Sequence, residues 1–157
     1  MTSSPKKVLL IGFGNPGRLD DGLGPALAEA IENLNLLGVT VDSDYQLTVE
    51  DASQISEHNV VIFADASTNC DEPYIFREIK PKTDISFSSH SISPENVLGL
   101  SEELFAAKTQ GFVLEIRGYD FNEFGQKLSS KAQDNLIDAV EFVKAKLVEL
   151  TKENDKS

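Results

Sequence analysis

Three side chains able to exchange protons or ligate a metal stand just beyond strand-like apolar runs. They are Asp21, after the run at 7–13, Asp65, closing the run at 59–65, and His90, after an alternating stretch at 84–88. Two carboxylates and one imidazole suit a borderline divalent ion such as zinc or nickel. The set is sparse, so a metal of the protein's own would be weakly held. Asp21 has an immediate like-charged neighbour, Asp20. Adjacent carboxylates repel unless water, a cation or a helix N-terminus relieves them. One of the two can cap the helix that starts at Gly22 or Leu23 while the other faces a crevice, and the sequence leaves open which. For Asp65 the structural alternative is a helix cap or a hydrogen bond to Ser67 or Thr68.

Other reactive types are poorly placed. His58 precedes a strand at its amino end and reads as a solvated loop residue. Cys70 is the single cysteine, so no internal disulfide forms, and no Cys/His pair with an orienting third group is signalled. Neither a G-x-S-x-G elbow nor an H-E-x-x-H helix occurs. Gly12-Phe13-Gly14-Asn15-Pro16-Gly17 matches G-x-G-x-x-G after a strand, the pattern of a dinucleotide site. Pro16 interrupts it, and Asp20 and Asp21 at the helix start would oppose a phosphate. A tight turn in which Gly12 and Gly14 take unusual backbone angles is the simpler account.

These residues need a scaffold, and the hydrophobic pattern supplies one. The run at 7–13 is apolar after Lys7 and ends in a glycine loop, and that at 59–65 ends on an aspartate; both read as strands buried on two faces. Leu23, Ala26, Leu27, Ala30, Ile31, Leu34 and Leu37 repeat at three and four, predicting an amphipathic helix with Gly38 as its C-cap. A weaker strand signal at 39–49 is best around 45–49, and 51–57 predicts a short helix. Residues 74–79 fit a helical turn or a short strand equally. A helix at 94–107 opens with Ser93-Pro94 and turns Val97, Leu98, Leu100, Leu104 and Phe105 inward. Residues 111–116 are β-rich. A long helix at 129–150 carries Ala132, Leu136, Val140, Val143 and Leu147 as one stripe. Alternating strands and helices predict a single α/β domain over 1–157, with frayed ends at 1–6 and 151–157. Its three layers place a mostly parallel sheet of about five strands between helices on both faces. In such sheets ligands bind beyond the carboxyl ends of the strands.

At 157 residues, 40% of them hydrophobic, the chain can bury a full core. The net charge of −12, from 14 basic and 26 acidic residues, disfavours nucleic acid and anionic membrane as partners. No apolar run approaches the roughly 20 residues of a bilayer span, and the apolar stretch at 8–13 is too short for a signal peptide. The expectation is a cytoplasmic protein, and a monomer because no long apolar stripe is left over.

Taken together, Gly12-Phe13-Gly14-Asn15, Asp20-Asp21-Gly22-Leu23-Gly24, Asp65-Ala66 and Ser89-His90 resemble the hydrogenase maturation proteases. The resemblance runs from the first strand to the Phe124-Gly125-Gln126-Lys127-Leu128-Ser129 stretch before the last helix. It implies an endopeptidase that trims the C-terminus of the large-subunit precursor of a nickel–iron hydrogenase. An acidic residue of the first loop, an aspartate after the third strand and a histidine before a helix form that family's metal-binding set. They fall here on Asp21, Asp65 and His90. The resemblance further implies that the nickel arrives inside the substrate, which agrees with the sparse ligand set; no tightly bound metal of the protein's own is expected. The family often has a proline near its fifth strand, where this chain reads Glu115-Ile116-Arg117-Gly118-Tyr119-Asp120. Gly-Phe-Gly-Asn-Pro-Gly also resembles the opening of the peptidyl-tRNA hydrolases. Those need a histidine soon after the loop, where this chain has Leu19, Asp20 and Asp21, and they bind tRNA. A non-catalytic assembly chaperone for the same precursor is the remaining alternative.

Overall fold

A computed structural model describes residues 5–83 and 92–152. Five strands form one sheet: β1 (Val8–Phe13), β2 (Val39–Asp44), β3 (Val60–Ser67), β4 (Tyr74–Ile79) and β5 (Gln110–Arg117). Among the described residues four α-helices accompany them: α1 (Leu23–Glu32), α2 (Asp51–Ser56), α3 (Pro94–Phe105) and α4 (Ser130–Thr151), with a short 3-10 turn at Leu19–Gly22. The strand order is β2-β1-β3-β5-β4, parallel except for β4, which runs antiparallel to β5.

The apolar runs form central strands because helices cover both of their faces. Val8, Leu10, Val60, Ile62 and Ala64 point into a cluster with Leu23, Leu27 and Ile31 of α1 and Ala132, Ala139, Val143 and Leu147 of α4. The alternate residues Leu9, Ile11, Val61 and Phe63 pack with Ala52 and Ile55 of α2 and Val97, Leu98 and Leu100 of α3. Each fully buried leucine, isoleucine or phenylalanine contributes roughly 1.5–3 kcal/mol over an exposed one. Two helices start at their serines: the side chains of Ser93 and Ser129 accept from the backbone N–H groups of Asn96 and Ala132, worth about 1 kcal/mol each.

The structure departs from the sequence pattern mainly at element ends. Helix α1 stops at Glu32, leaving Leu34 39% and Leu37 94% exposed instead of in the stripe. The chain turns there through Asn35 (φ 51°), and Gly38 (φ 82°) sets the entry to β2 rather than capping the helix. Strand β2 occupies 39–44, earlier than the expected 45–49, because Val39 and Val41 are the residues that reach the α1 side of the core. Tyr45 and Val49 lie exposed beyond it. The ambiguous 74–79 segment is a strand, closing the sheet at β5's free edge. Leu104 and Phe105 are exposed, since Ala106 (φ 55°) ends α3 just beyond them. In α4 the fully buried stripe is Ala132, Asn135, Ala139, Val143 and Leu147, with Leu136 and Val140 half-buried at its margin. The expected strand at 84–88 lies outside the described residues. No helix among the described residues is long and apolar enough to cross a membrane.

Candidate active site

The chain leaves β1 for β2 on one side and later places β3 on the other. This reversal opens a crevice beyond the carboxyl ends of β1 and β3, where open α/β sheets hold their ligands. Helix α1 comes down onto this point at very short range. A Cβ added to Gly24 would sit 2.4 Å from the Phe13 carbonyl oxygen and 2.6 Å from that of Ala64, and one added to Gly12 would sit 2.2 Å from the Gly24 oxygen. The glycines therefore serve helix–strand contact. The loop that follows is occupied by its own bonds: the Gly14 N–H donates to the Asp44 carbonyl, and the Asn15 side chain accepts from the Gly17 N–H. Nothing in it is arranged as a pyrophosphate cradle.

The two adjacent aspartates have opposite fates. Asp20 is fully buried. Its carboxylate accepts from the N–H groups of Tyr119 (2.8 Å), Asp120 (3.0 Å) and Ser129 (2.8 Å) and from the Ser129 hydroxyl (2.7 Å). Burial pushes this carboxyl upward, but the hydrogen bonds together outweigh it and hold it below its ordinary value. Asp20 thus ties the first loop to the start of α4. Neither aspartate caps α1, whose N-cap is Gly22 without a side-chain bond. Asp21 is only half-buried, and one of its oxygens accepts from the Asn15 N–H at 2.8 Å. Its other oxygen has no protein partner among the described residues. The loop carrying it is zipped to 121–125, with Leu19 N–H donating to the Gly125 carbonyl and Gly125 N–H to that of Gly17, both at 2.8 Å.

Asp65 follows Val61 and Phe63 on the α2/α3 face of β3 and ends in the crevice. One oxygen accepts from the Ala66 N–H at 2.8 Å. No bond to Ser67 or Thr68 forms among the described residues; the Ser67 hydroxyl accepts from the N–H groups of Asn69 and Cys70. Burial raises the Asp65 carboxyl to about 7, and the charges of Asp21 and Glu115 push it the same way. Asp21 and Asp65 are therefore brought together across the crevice, close enough to feel each other's charge. A proton or a cation would relieve that repulsion.

Sequence reasoning missed Glu115. It lies beside Asp65 in the β3–β5 register, 3.7 Å from Arg77, which also sits 3.6 Å from Glu95. No local signal marks it, because the pairing joins residues 50 apart. His90 lies outside the described residues. Its segment leads into α3, which packs on the face that carries Asp65. Among the described residues no group of three or more potential ligands is close enough to hold a metal. Cys70 is buried, and burial raises its thiol, so it is a poor nucleophile. His58 packs back on α2 through its ring nitrogen, 2.9 Å from the Gln54 carbonyl oxygen, at the opposite end of β3. The glycine at 118 also has a local cause: a Cβ there would lie 2.8 Å from the Phe121 ring and 2.9 Å from the Asp20 Cβ.

Fold and site together define an open α/β protein with paired carboxylates at the strand-order switch. No family model matches the chain, and no curated protein does. Solved structures do match over almost the full length. The NiFe hydrogenase maturation protease HycI from Thermococcus kodakarensis KOD1 superposes with a TM-score of 0.70 at 18% identity, over 96% of each chain. The hydrogenase 2 maturation peptidase from Thaumarchaeota archaeon SCGC_AB-539-E09 gives 0.67 at 19%, over 90% of this chain and 98% of that one. The hydrogenase maturating endopeptidase HybD from E. coli gives 0.63 at 21%, over 91% and 93%. The chain has the fold of the hydrogenase maturation proteases.

Proposed function

We propose that this protein is a cytoplasmic, monomeric endopeptidase that removes a C-terminal peptide from the nickel-loaded precursor of a nickel–iron hydrogenase large subunit. The observation that carries the reading is that Asp21 and Asp65 both lie at the switch point, near enough for the charge of Asp21 to act on the Asp65 carboxyl, each with an oxygen left unbonded among the described residues. The fold, shared with maturation proteases over nine-tenths or more of the chain, supports the same reaction class.

In this reading Asp21, Asp65 and His90 engage the nickel that the substrate brings. Two oxygens and one imidazole suit a metal whose other ligands come from elsewhere. Docking on the ion positions the adjoining peptide bond for hydrolysis. Asp20 and Asn15 hold the first loop so that Asp21 faces the crevice. The half-buried, mutually repelling carboxylates favour binding a cation over standing empty.

The test is to mix the purified protein with nickel-loaded and nickel-free precursor and follow the precursor's mass. Loss of a short peptide from the loaded form alone is the expected result. Equal cleavage of both forms, or of neither by a folded sample, sinks the proposal. Binding without peptide release would make the protein an assembly chaperone instead. Replacing His90 by alanine is expected to abolish cutting with the fold intact.

A further inference from the structure

Beside the Asp21 loop, a groove of about 620 Å³ runs between α1 and the outer strand β2. Its apolar lining includes Pro16, Leu19, Pro25 and Leu128, and Glu29 and Glu32 supply its charge. Among the described residues strand β2 ends the sheet and pairs only with β1, which leaves one side of its backbone open for a further strand. Resting on the endopeptidase reading above, we propose that this edge receives an extended, lysine- or arginine-bearing segment of the substrate protein, added to β2 as a sixth strand.

Charge selects the occupant. The side chains of an added strand would point alternately to the two faces of the sheet, and carboxylates wait on both. Glu29 and Glu32 stand on the α1 side, with Val41 reaching the same core. Asp42 and Asp44 stand on the α2 side, where their charges add to the rise that burial causes in the Asp51 carboxyl. Among the described residues no lysine or arginine pairs with any of the four. Glu29 and Glu32 also lie at the carboxyl end of α1, which carries no basic residue in its last turn. Acids there oppose the helix dipole. They weaken the helix they belong to, and a cationic strand laid in the groove supplies the missing counter-charge. Main-chain bonds to an exposed edge then give affinity, and the side-chain pockets give specificity.

The probe is a fluorescein-labelled ten-residue peptide alternating lysine with valine, titrated by anisotropy. Controls are a glutamate–valine peptide and a lysine–valine peptide N-methylated throughout, which has no N–H donors. The lysine peptide is expected to bind, and both controls to fail. The double variant Glu29→Lys/Glu32→Lys is expected to weaken binding by about tenfold or more while its melting temperature stays level or rises, which separates lost docking from lost folding. With precursor as substrate, the same variant raises KM and leaves kcat unchanged. Equal binding of the lysine and glutamate peptides, an unweakened double variant, or undiminished binding of the N-methylated peptide would each overturn the proposal. A wild type that discriminates among the peptides as described yet cuts no precursor overturns the endopeptidase reading and leaves the docking edge standing.

Discussion

Replacing Asp65 by asparagine is expected to make the metal-free protein more stable above neutral pH and inactive. In the folded chain burial raises the Asp65 carboxyl to about 7, with Asp21 and Glu115 adding to the rise, against an ordinary value of 3.8. Between those two values the folded chain keeps a proton that the unfolded chain has released. The stability that Asp65 contributes is therefore full below the ordinary value, falls as pH climbs through the interval, and is flat and lowest above about 7. A separation of roughly 3 units at 1.36 kcal/mol each sets a ceiling of about 4 kcal/mol. Asp65 is half-buried, and solvent relaxation at such a site brings the figure to about 2 kcal/mol. Asparagine keeps the shape and an oxygen for the Ala66 N–H, and carries no charge. Urea unfolding of both proteins with a chelator present, at about pH 5 and about pH 8, reads the difference. The wild type is expected to lose roughly 1–2 kcal/mol against the variant over that interval. Each kcal/mol corresponds to about 2–4 °C in melting temperature at this chain length. Parallel behaviour of the two proteins, or a variant less stable at both values, would refute the reasoning, for then the folded carboxyl is neither desolvated nor opposed by Asp21.

Asp20→Ala is expected to destabilise by about 3 kcal/mol or more, because the N–H groups of Tyr119, Asp120 and Ser129 lose their charged acceptor; denaturant unfolding measures it. Asp21→Asn keeps an oxygen for the Asn15 N–H and is expected to fold normally, to lose precursor cleavage by mass, and to lower the Asp65 pKa in a carboxyl-detected NMR titration, since one like charge is gone. Gly24→Ala drives a methyl group against two backbone carbonyls and is expected to cost about 3 kcal/mol or more, visible as a lowered melting temperature; an unchanged one would mean that α1 does not pack so closely on β1 and β3.

The sequence alone was enough for the layers and for the place of Asp65 in the third strand. Strands β1 and β3 were legible because burial on both faces demands uninterrupted apolar residues, a local property. The starts of α3 and α4 were legible in their serines, since capping is also local. Asp65 was legible as the polar residue that ends an apolar run, although β3 itself continues to Ser67. The ends of α1 and α3 were not, because Leu34, Leu37, Leu104 and Phe105 continue the helical spacing although the chain turns away before they can be covered. Residues 74–79 suit either period, and only the vacant edge of β5 makes them a strand.

The tertiary structure alone decided between Asp20 and Asp21. The two have the same chemistry and adjacent positions, so nothing local distinguishes them. Asp20 became structural because the loop at 119–120 and the cap of α4, about 100 residues away, present donors to it and to no other carboxylate. Asp21 was left with one oxygen free among the described residues, and its charge, like that of Glu115, acts on Asp65. That assignment depends on strand order and register, which join segments distant in the chain; hydrophobic spacing encodes burial but not which partner stands across a crevice.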